Sequence, residues 1–577
     1  MIRCQDHKSG YLFDPWEHLG PKRRQLLEES WAGLFRQHIL SVLPVQELAR
    51  FYDDSRGRPT KELYTLMGAV ILQQMHDLTD QDTVSQIAFN EQWHYALDIA
   101  AESDDAKYVC PKTLFSARQA LVQNNLGAAV FDPITQKLAE IFKVDPARQR
   151  LDSVAVKSNM SRLGRIRLIA AVARKFLVNL KRRHEGLFAA LRPELTDRYL
   201  KEAAFPCFSL CKPSESERTL AAAAQDLFDL VQFFEGQAEV AEMYSYKLLT
   251  RVLSEQCKVV EGADGSKQVA VRPPKEVPCD SLQNPSDPDA GYDAHKGQGY
   301  HVQVMEAYCD SADAKARQET LNLITHVAVE PAGRHDANAL LPALESAAER
   351  GLGPEQVLAD SAYGGLDNVD AAAAKGVEVV SPAMGQCGED GRALEDFSYS
   401  DEYEVVACPQ GHAPETTYHQ EERHSAQFSA QHCSTCPRRE SCPTKPGAKG
   451  RRFLRYNHNA VRCALRRVQE RTAEFKSRYR WRSGIEACMS ALARRTGIKR
   501  LRVRGIRAVR FGATLKVLGL NLFRASALRR ARIGAGSWLC GKKSAFTKAI
   551  SVIKELFRRP ENETIFFRAV PLKNFSG

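Results

Sequence analysis

Asp152, Asp360 and Glu486 are the residues of this sequence whose types and settings could do chemistry together. Asp152 lies in the short β-branched run LDSVAV, residues 151–156, which reads as a strand. Asp360 closes the strand-like run Gln356-Val357-Leu358-Ala359, immediately before Ser361-Ala362-Tyr363-Gly364-Gly365. Both acids are expected where strand gives way to loop, the place where α/β sheets build sites because side chains converge on a rigid backbone. Two carboxylates brought together repel unless a proton or a cation lies between them, so oxygen-rich binding of Mg²⁺ or Mn²⁺ is the natural reading. A lone Asp is more often a turn or cap residue, and a third acid lifts the pair above that. Within residues 475–486, helical spacing puts Tyr479, Arg482 and Glu486 at i, i+3 and i+7 on one face. Beyond Glu486 no Asp or Glu occurs as far as Arg530. A carboxylate in that field serves either as a salt-bridge partner or as a metal ligand beside bound phosphate.

The field is strongly positive. Residues 451–510 hold 19 Lys or Arg against three acids, Glu470, Glu474 and Glu486, in a chain whose net charge is only +11. The rest of the chain is therefore acidic in sum, and one segment carries the whole positive excess. Such focusing suits a surface that holds a polyanion, whereas a solvated helix face interleaves both signs. The candidate contacts are Arg494, Arg495, Lys499, Arg500, Arg502 and Arg504.

A separate constellation lies between the second and third acids. Cys408 in ACPQGH is followed by Cys433, Cys436 and Cys442 in HCSTCPRRESCP, with His412 and His432 nearby. Four thiolates can close a tetrahedral structural Zn²⁺ shell and would organise a segment that lacks hydrophobic periodicity. The spacing is not that of a two-knuckle ribbon, and free thiols are the alternative. Of the fifteen cysteines, Cys4, Cys110, Cys257, Cys309, Cys463 and Cys540 stand alone, the pattern of reduced thiols rather than a disulfide framework.

The elements that must position these residues follow from periodicity. Residues 1–145 read as an all-α N-terminal region, with KELYTLMGAVILQQMHDL and PKTLFSARQALVQNNLGAAVFDPITQKLAEIF apolar at spacings of three and four. Arg56-Gly57-Arg58 could probe a minor groove or simply lead into a helix, with Pro59 suited to the first helical turn. The strand at Asp152 is followed by a helical insertion, residues 161–274. Strand signals resume in GYHVQVMEAY, LITHVAVEP, VLADSA and VEVVSPAM, separated by the helical ALLPALESAAERG. If the first strand joins the later ones, residues 146–160 and 275–385 form one α/β core with a mixed sheet. A Cys-rich insertion at 386–450, a basic helical segment at 451–530 and a tail at 531–577 with no assigned role complete the chain. No apolar run is long enough to span a bilayer, and the first residues lack a signal-peptide core, so a cytoplasmic address with no membrane partner is expected.

The segments LDSVAVKSNM, SDPDAGYDAHKGQGYHVQV, EPAGRHDANALLPAL, VLADSAYGG and YRWRSGIEACMSALARRTGIKRLRVRG, in this order, resemble the Asp-Asp-Glu (DDE) transposases of bacterial insertion sequences, most closely the type eleven-eighty-two group. The resemblance covers roughly residues 15–525, with the helical insertion matching only loosely. It implies an RNase H-like catalytic fold, with Asp152 and Asp360 as the two Asp and Glu486 as the Glu, all ligands of Mg²⁺ or Mn²⁺. It also implies double-stranded DNA, both element ends and target, as partner, bound by a homo-oligomer assembled on it. Tyr479, Arg482 and Glu486 fit the first three positions of the family's Tyr, Arg, Glu, Lys motif; the fourth holds Ala493, with Arg494 beside it. His335-Asp336 is similar to a recurring pair of the family, which makes Asp336 a further site candidate. Asp287 and Asp289 in SDPDAGYD read as turn residues. A DNA-binding relative without catalysis, or another RNase H-like nuclease, would share the fold and the charge.

Overall fold

The computed structural model describes residues 1–7, 13–201, 211–261, 267–384, 394–420 and 423–556, with side chains as far as residue 533. Residues 386–393 of the Cys-rich segment and 557–577 of the tail lie outside the described residues. β1 (Arg148–Lys157) opens a mixed sheet. The helical insertion follows, built on Arg165–Arg183, Ser216–Phe233 and Tyr244–Gln256, and it closes on a hairpin of β2 (Cys257–Glu261) and β3 (Lys267–Val271) that helical periodicity did not foretell. The chain then returns as β4 (Gly291–Asp293), β5 (Gly297–Ala307) and β6 (Ile324–Pro331). Helices Leu340–Glu349 and Leu366–Ala373 precede β7 (Gln356–Leu358) and β8 (Glu378–Val380), respectively.

Across the sheet the order is β6, β5, β1, β7, β8, with β4 continuing the edge of β6 along β5. The pairs β6 with β5 and β5 with β1 are antiparallel, whereas β1 with β7 and β7 with β8 are parallel. The two short parallel strands are joined by a helix because a parallel neighbour cannot be reached by a tight turn. β5 is buried from Tyr300 to Ala307 on both faces, as a central strand must be.

One face of the sheet, through Val154, Val156, Tyr300, Val302 and Val304, shares a core with the N-terminal helices and with the C-terminal helix Ile506–Leu556. The other face, through Leu151, Met305 and Val357, packs on Leu340, Leu344 and Tyr363. The insertion keeps its own core around Phe176, Phe234 and Leu249. Asn521 docks the C-terminal helix on the sheet: its amide accepts from the Ile324 N–H at 2.9 Å and donates to the Ile324 carbonyl at 2.8 Å. Ile324 and Asn521 are both buried, so the amide satisfies backbone groups that have to find a partner inside the protein.

In the N-terminal region the helix Leu63–Met75 is buried on nearly every side. It begins four residues after Pro59, because the Glu62 carboxylate accepts from the Tyr64 and Thr65 N–H groups and takes the capping role. Pro59 and the exposed Arg56-Gly57-Arg58 belong to the preceding loop. Among the described residues no helix is long and apolar enough to cross a membrane.

Candidate active site

β1 carries the first acid in its middle, not at its end as expected. The parallel partner explains the consequence. β7 pairs with β1 only from Arg148↔Gln356 to Arg150↔Leu358 and then turns away. Two residues beyond the last pair on each strand stand Asp152 and Asp360, so β1 outruns its neighbour where the second acid leaves the sheet. The Asp152 Oδ1 accepts from the Ser153 N–H at 2.8 Å, and the Asp360 Oδ1 from the Ala362 N–H at 2.9 Å.

Glu486 arrives from the far side of the sequence. The single helix expected over residues 475–486 is three pieces: Ala473–Tyr479, a tighter 3₁₀ turn Arg480–Ser483, and Gly484–Thr496. Arg150, two residues before Asp152 on β1, fixes this junction. Its guanidinium donates to the Trp481 carbonyl at 2.8 Å and to the fully buried Glu306 at 2.8 Å, and Glu306 also accepts from Arg524. A side chain at Gly484 would put its Cβ 1.9 Å from the Arg150 Nη1, so it would push the guanidinium out of this position. Glu486 then falls in the first helical turn, where the dipole favours a carboxylate, while Ile485, Cys488 and Leu492 face the core.

The three acids meet at Arg482. Its Nη2 lies 2.8 Å from the Asp152 Oδ2 and 3.9 Å from the Asp360 Oδ2, and its Nη1 lies 3.4 Å from the Glu486 Oε1. The Arg482 side chain is 19% exposed and that of Asp152 17%, whereas Glu486 is 69% exposed and opens to solvent. Burial pushes the Asp152 carboxyl above its ordinary range; Arg482 and the Ser153 N–H oppose that, and Asp360 and Asp336 add to it. As the side chains stand, no three His, Cys, Asp or Glu among the described residues form a group that would hold a metal ion. The cation at the centre of the acids is the guanidinium.

Tyr479 packs on Phe475 and against Tyr308, Leu358 and Val380 at the end of the sheet. Burial raises its phenol, Arg482 opposes, and the charges of Asp360 and Asp152 raise it further.

Asp336 stands beside this group. It accepts from the Ser153 hydroxyl at 3.1 Å and the Gln303 amide at 2.8 Å, with Lys296 Nζ at 3.5 Å and His301 Nδ1 at 3.4 Å. Burial works against its ionisation, yet His301, Gln303 and Lys296 together hold the carboxyl well below the usual range. The Tyr363 hydroxyl donates to Gln303 at 2.6 Å and closes the network. Sequence reasoning missed Ser153, Lys296, His301, Gln303 and Tyr363. The available signal was the alternation in GYHVQV, where His301 and Gln303 break an otherwise apolar central strand.

Other candidates take different places. Asp287 is buried and accepts from the Tyr300 hydroxyl, the Ser158 hydroxyl and the Gly505 N–H, while Asp289 accepts from the Ile506 N–H. In the expected turn they tie the start of the C-terminal helix to the sheet. Ala493 offers no cation, and Arg494 beside it is exposed. Arg494, Arg495, Lys499, Arg500, Arg502 and Arg504 are all exposed; among the described residues only Arg502 has an acidic partner, Asp77 at 2.8 Å. Cys408, Cys433, Cys436 and Cys442 all line one cavity, which His412 and His432 share.

Fold and site together define an α/β protein that gathers three carboxylates around one cation beside an exposed basic face. Residues 25–119 match a family model described as transposase domain (DUF772), and residues 407–525 match a transposase DDE domain. The two matches are consistent with a DDE transposase of an insertion sequence, and they indicate transposase function. The DDE match includes Glu486 and the four cysteines; Asp152 and Asp360 precede it. No curated protein and no solved structure matches the chain.

Proposed function

We propose that the chain cuts DNA strands at the ends of an insertion sequence and joins them to target DNA, in the cytoplasm and as a homo-oligomer assembled on the DNA. Asp152, Asp360 and Glu486 hold the divalent cations. The observation that carries this reading is the meeting of those three acids, from a strand, the loop just past another strand and a distant helix, at one guanidinium. The strand order supports an RNase H-like core: β6, β5 and β1 antiparallel, then β7 and β8 parallel, with the first acid on β1 and the second just past β7. The donors are all carboxylate oxygens, the set that Mg²⁺ and Mn²⁺ take, and the Arg482 guanidinium lying between them supports a position that favours positive charge.

Held by Asp152, Asp360 and Glu486, such ions would supply the Lewis-acid chemistry of an in-line phosphoryl displacement. In cutting, a water oxygen bonds to phosphorus, the P–O3′ bond breaks, and the 3′ oxygen leaves as a hydroxyl. In joining, that hydroxyl bonds to a target phosphorus and a target 3′ hydroxyl departs. Arg482 would then be free to turn its fork from the acids to the phosphate oxygens. Tyr479, kept protonated by burial and by the acids, orients the Arg482 turn instead of attacking phosphorus. Purified full chain, incubated with labelled element-end DNA and target in Mg²⁺ or Mn²⁺, should yield 3′-hydroxyl ends and joined products. End binding with no cation-dependent product would make the chain a DNA-binding relative, and cleavage that never proceeds to joining would make it a nuclease.

The exposed basic residues supply the DNA surface, and sequence reading falls mainly to the N-terminal helices. Neutralising Arg494, Arg495, Lys499, Arg500 and Arg504 should weaken binding to all sequences and reduce the log-log salt slope by about 0.9 for each lost phosphate contact. Arg502, already paired with Asp77, should contribute less. An unchanged slope in the quintuple variant would show a merely solvated face.

A further inference from the structure

We infer that the Cys-rich segment is a zinc-binding module, with Cys408, Cys433, Cys436 and Cys442 closing a tetrahedral all-thiolate site. This goes beyond the transposition chemistry and does not depend on it. The segment forms two small sheets apart from the central one. β9 (Ser398–Tyr399) pairs with β10 (Val405–Ala407), and β11 (Thr416–Gln420), β12 (Arg423–Phe428), β13 (Lys445–Pro446) and β14 (Arg452–Tyr456) pair in the order β11, β12, β14, β13. Its core consists of Phe397, Val405, Ala426, Phe428, Leu454, Tyr456 and Val461, and Cys408, Cys433 and Cys442 pack against it, so the cysteines lie where a metal staple would support a small core.

Cys408 directly follows β10 and sits in a tight turn: its N–H donates to the His412 carbonyl at 2.9 Å, and the Gly411 N–H donates back to the Cys408 carbonyl at 2.8 Å. Gly411, at φ +79°, permits this turn. Cys433 lies on the short helix after β12, Cys436 in the next turn, and Cys442 just before β13. All four are free thiols of intermediate exposure around one cavity of about 240 Å³. As the side chains stand they do not form a ligand group; closing the shell requires the thiols to lose their protons to the ion and their side chains to turn into the shared cavity. Thr444 donates its hydroxyl to the Cys442 sulfur at 3.2 Å, the kind of outer contact that holds a ligand in place. His412 and His432 stack on each other at 4.1 Å and flank the site without entering the shell.

The module is coupled to the acids. β14 runs through the Asn457 cap into the helix His458–Glu470, whose Arg466 donates to the Gly364 carbonyl at 2.6 Å and the Ser381 carbonyl at 3.0 Å, beside the Asp360 turn.

Elemental analysis of the full chain, purified reduced and without chelator, should find about one zinc per molecule, and Co²⁺ substitution should give thiolate charge-transfer and tetrahedral d–d bands. The paired change Cys433→Ser with Cys436→Ser should lower zinc to below about a tenth per chain, while His412→Ala with His432→Ala should keep it. Should the cysteine variant fail to fold, the cobalt spectrum of the parent chain decides. Absence of zinc together with absence of cobalt bands, iron in place of zinc, or zinc lost from the histidine variant would each overturn the assignment.

Discussion

Alanine at Asp152, Asp360 or Glu486 is expected to lower both cleavage and joining by on the order of 10² to 10³-fold or more, the scale set by loss of one preorganised charge partner, while binding to duplex DNA persists. The joint loss follows from one set of ligands serving both displacements. Binding persists because the basic face lies on Arg494 and the residues after it, and none of the three acids pairs with those side chains among the described residues. Folding should also survive. Removing Asp152 deletes a buried carboxylate whose ionisation burial opposes, and Glu486 is mostly in solvent. Gel-shift and product assays on the same preparations make the check. Activity retained in any one variant removes that residue from the ligand set.

Arg482→Ala is expected to have the second largest effect, and of a different kind. The guanidinium is what lets Asp152, Asp360 and Glu486 approach as anions. Without it, Asp152 faces Asp360 and Asp336 with only the Ser153 N–H and any bound cation to hold its charge. Its carboxyl, already raised by burial, rises further; the ionised form is then lost at a higher pH on the way down. The acid limb of the cleavage profile should therefore move to higher pH, and cleavage at neutral pH should fall by on the order of 10²-fold because the phosphate also loses its forked donor. Arg482→Lys should recover the acid limb but not the full rate, since a point charge cannot span three carboxylates. A profile that keeps its acid limb in the alanine variant would place Arg482 outside the site's electrostatics.

Much of this was legible in the residues because strand and helix periods expose burial directly. LDSVAV, GYHVQV and THVAVE each give away a strand, and the helical stretch between the first two announces itself by threes and fours. The acids were legible by type and setting. Their geometry was not. The position of Asp152 in mid-strand depends on β5 pairing with β1 as far as Lys157, and the opening beside it on β7 stopping at Leu358, which are properties of pairing and not of either strand's residues. The break of the Tyr479 helix into a 3₁₀ turn arises from Arg150 reaching the Trp481 carbonyl from β1, a contact between residues 331 apart in the chain. The Asp336 network was half visible, as an acid in a familiar pair; its partners Lys296, His301 and Gln303 come from another strand and its hairpin. The small Cys-rich sheets were hidden because strands of two to six residues carry too few side chains for a period to show. Arg482 as the shared counter-ion could be placed on the right helical face, but its contact with Asp152 needed the fold.

The central claim is that Asp152, Asp360 and Glu486 share one cation site, and Mn²⁺ located by its anomalous scattering in crystals of the full chain tests it most directly. The account predicts Mn²⁺ bounded by carboxylate oxygens of all three residues, with the Arg482 guanidinium displaced from between them. Mn²⁺ bound elsewhere, with Arg482 still bridging the acids at saturating metal, would contradict it.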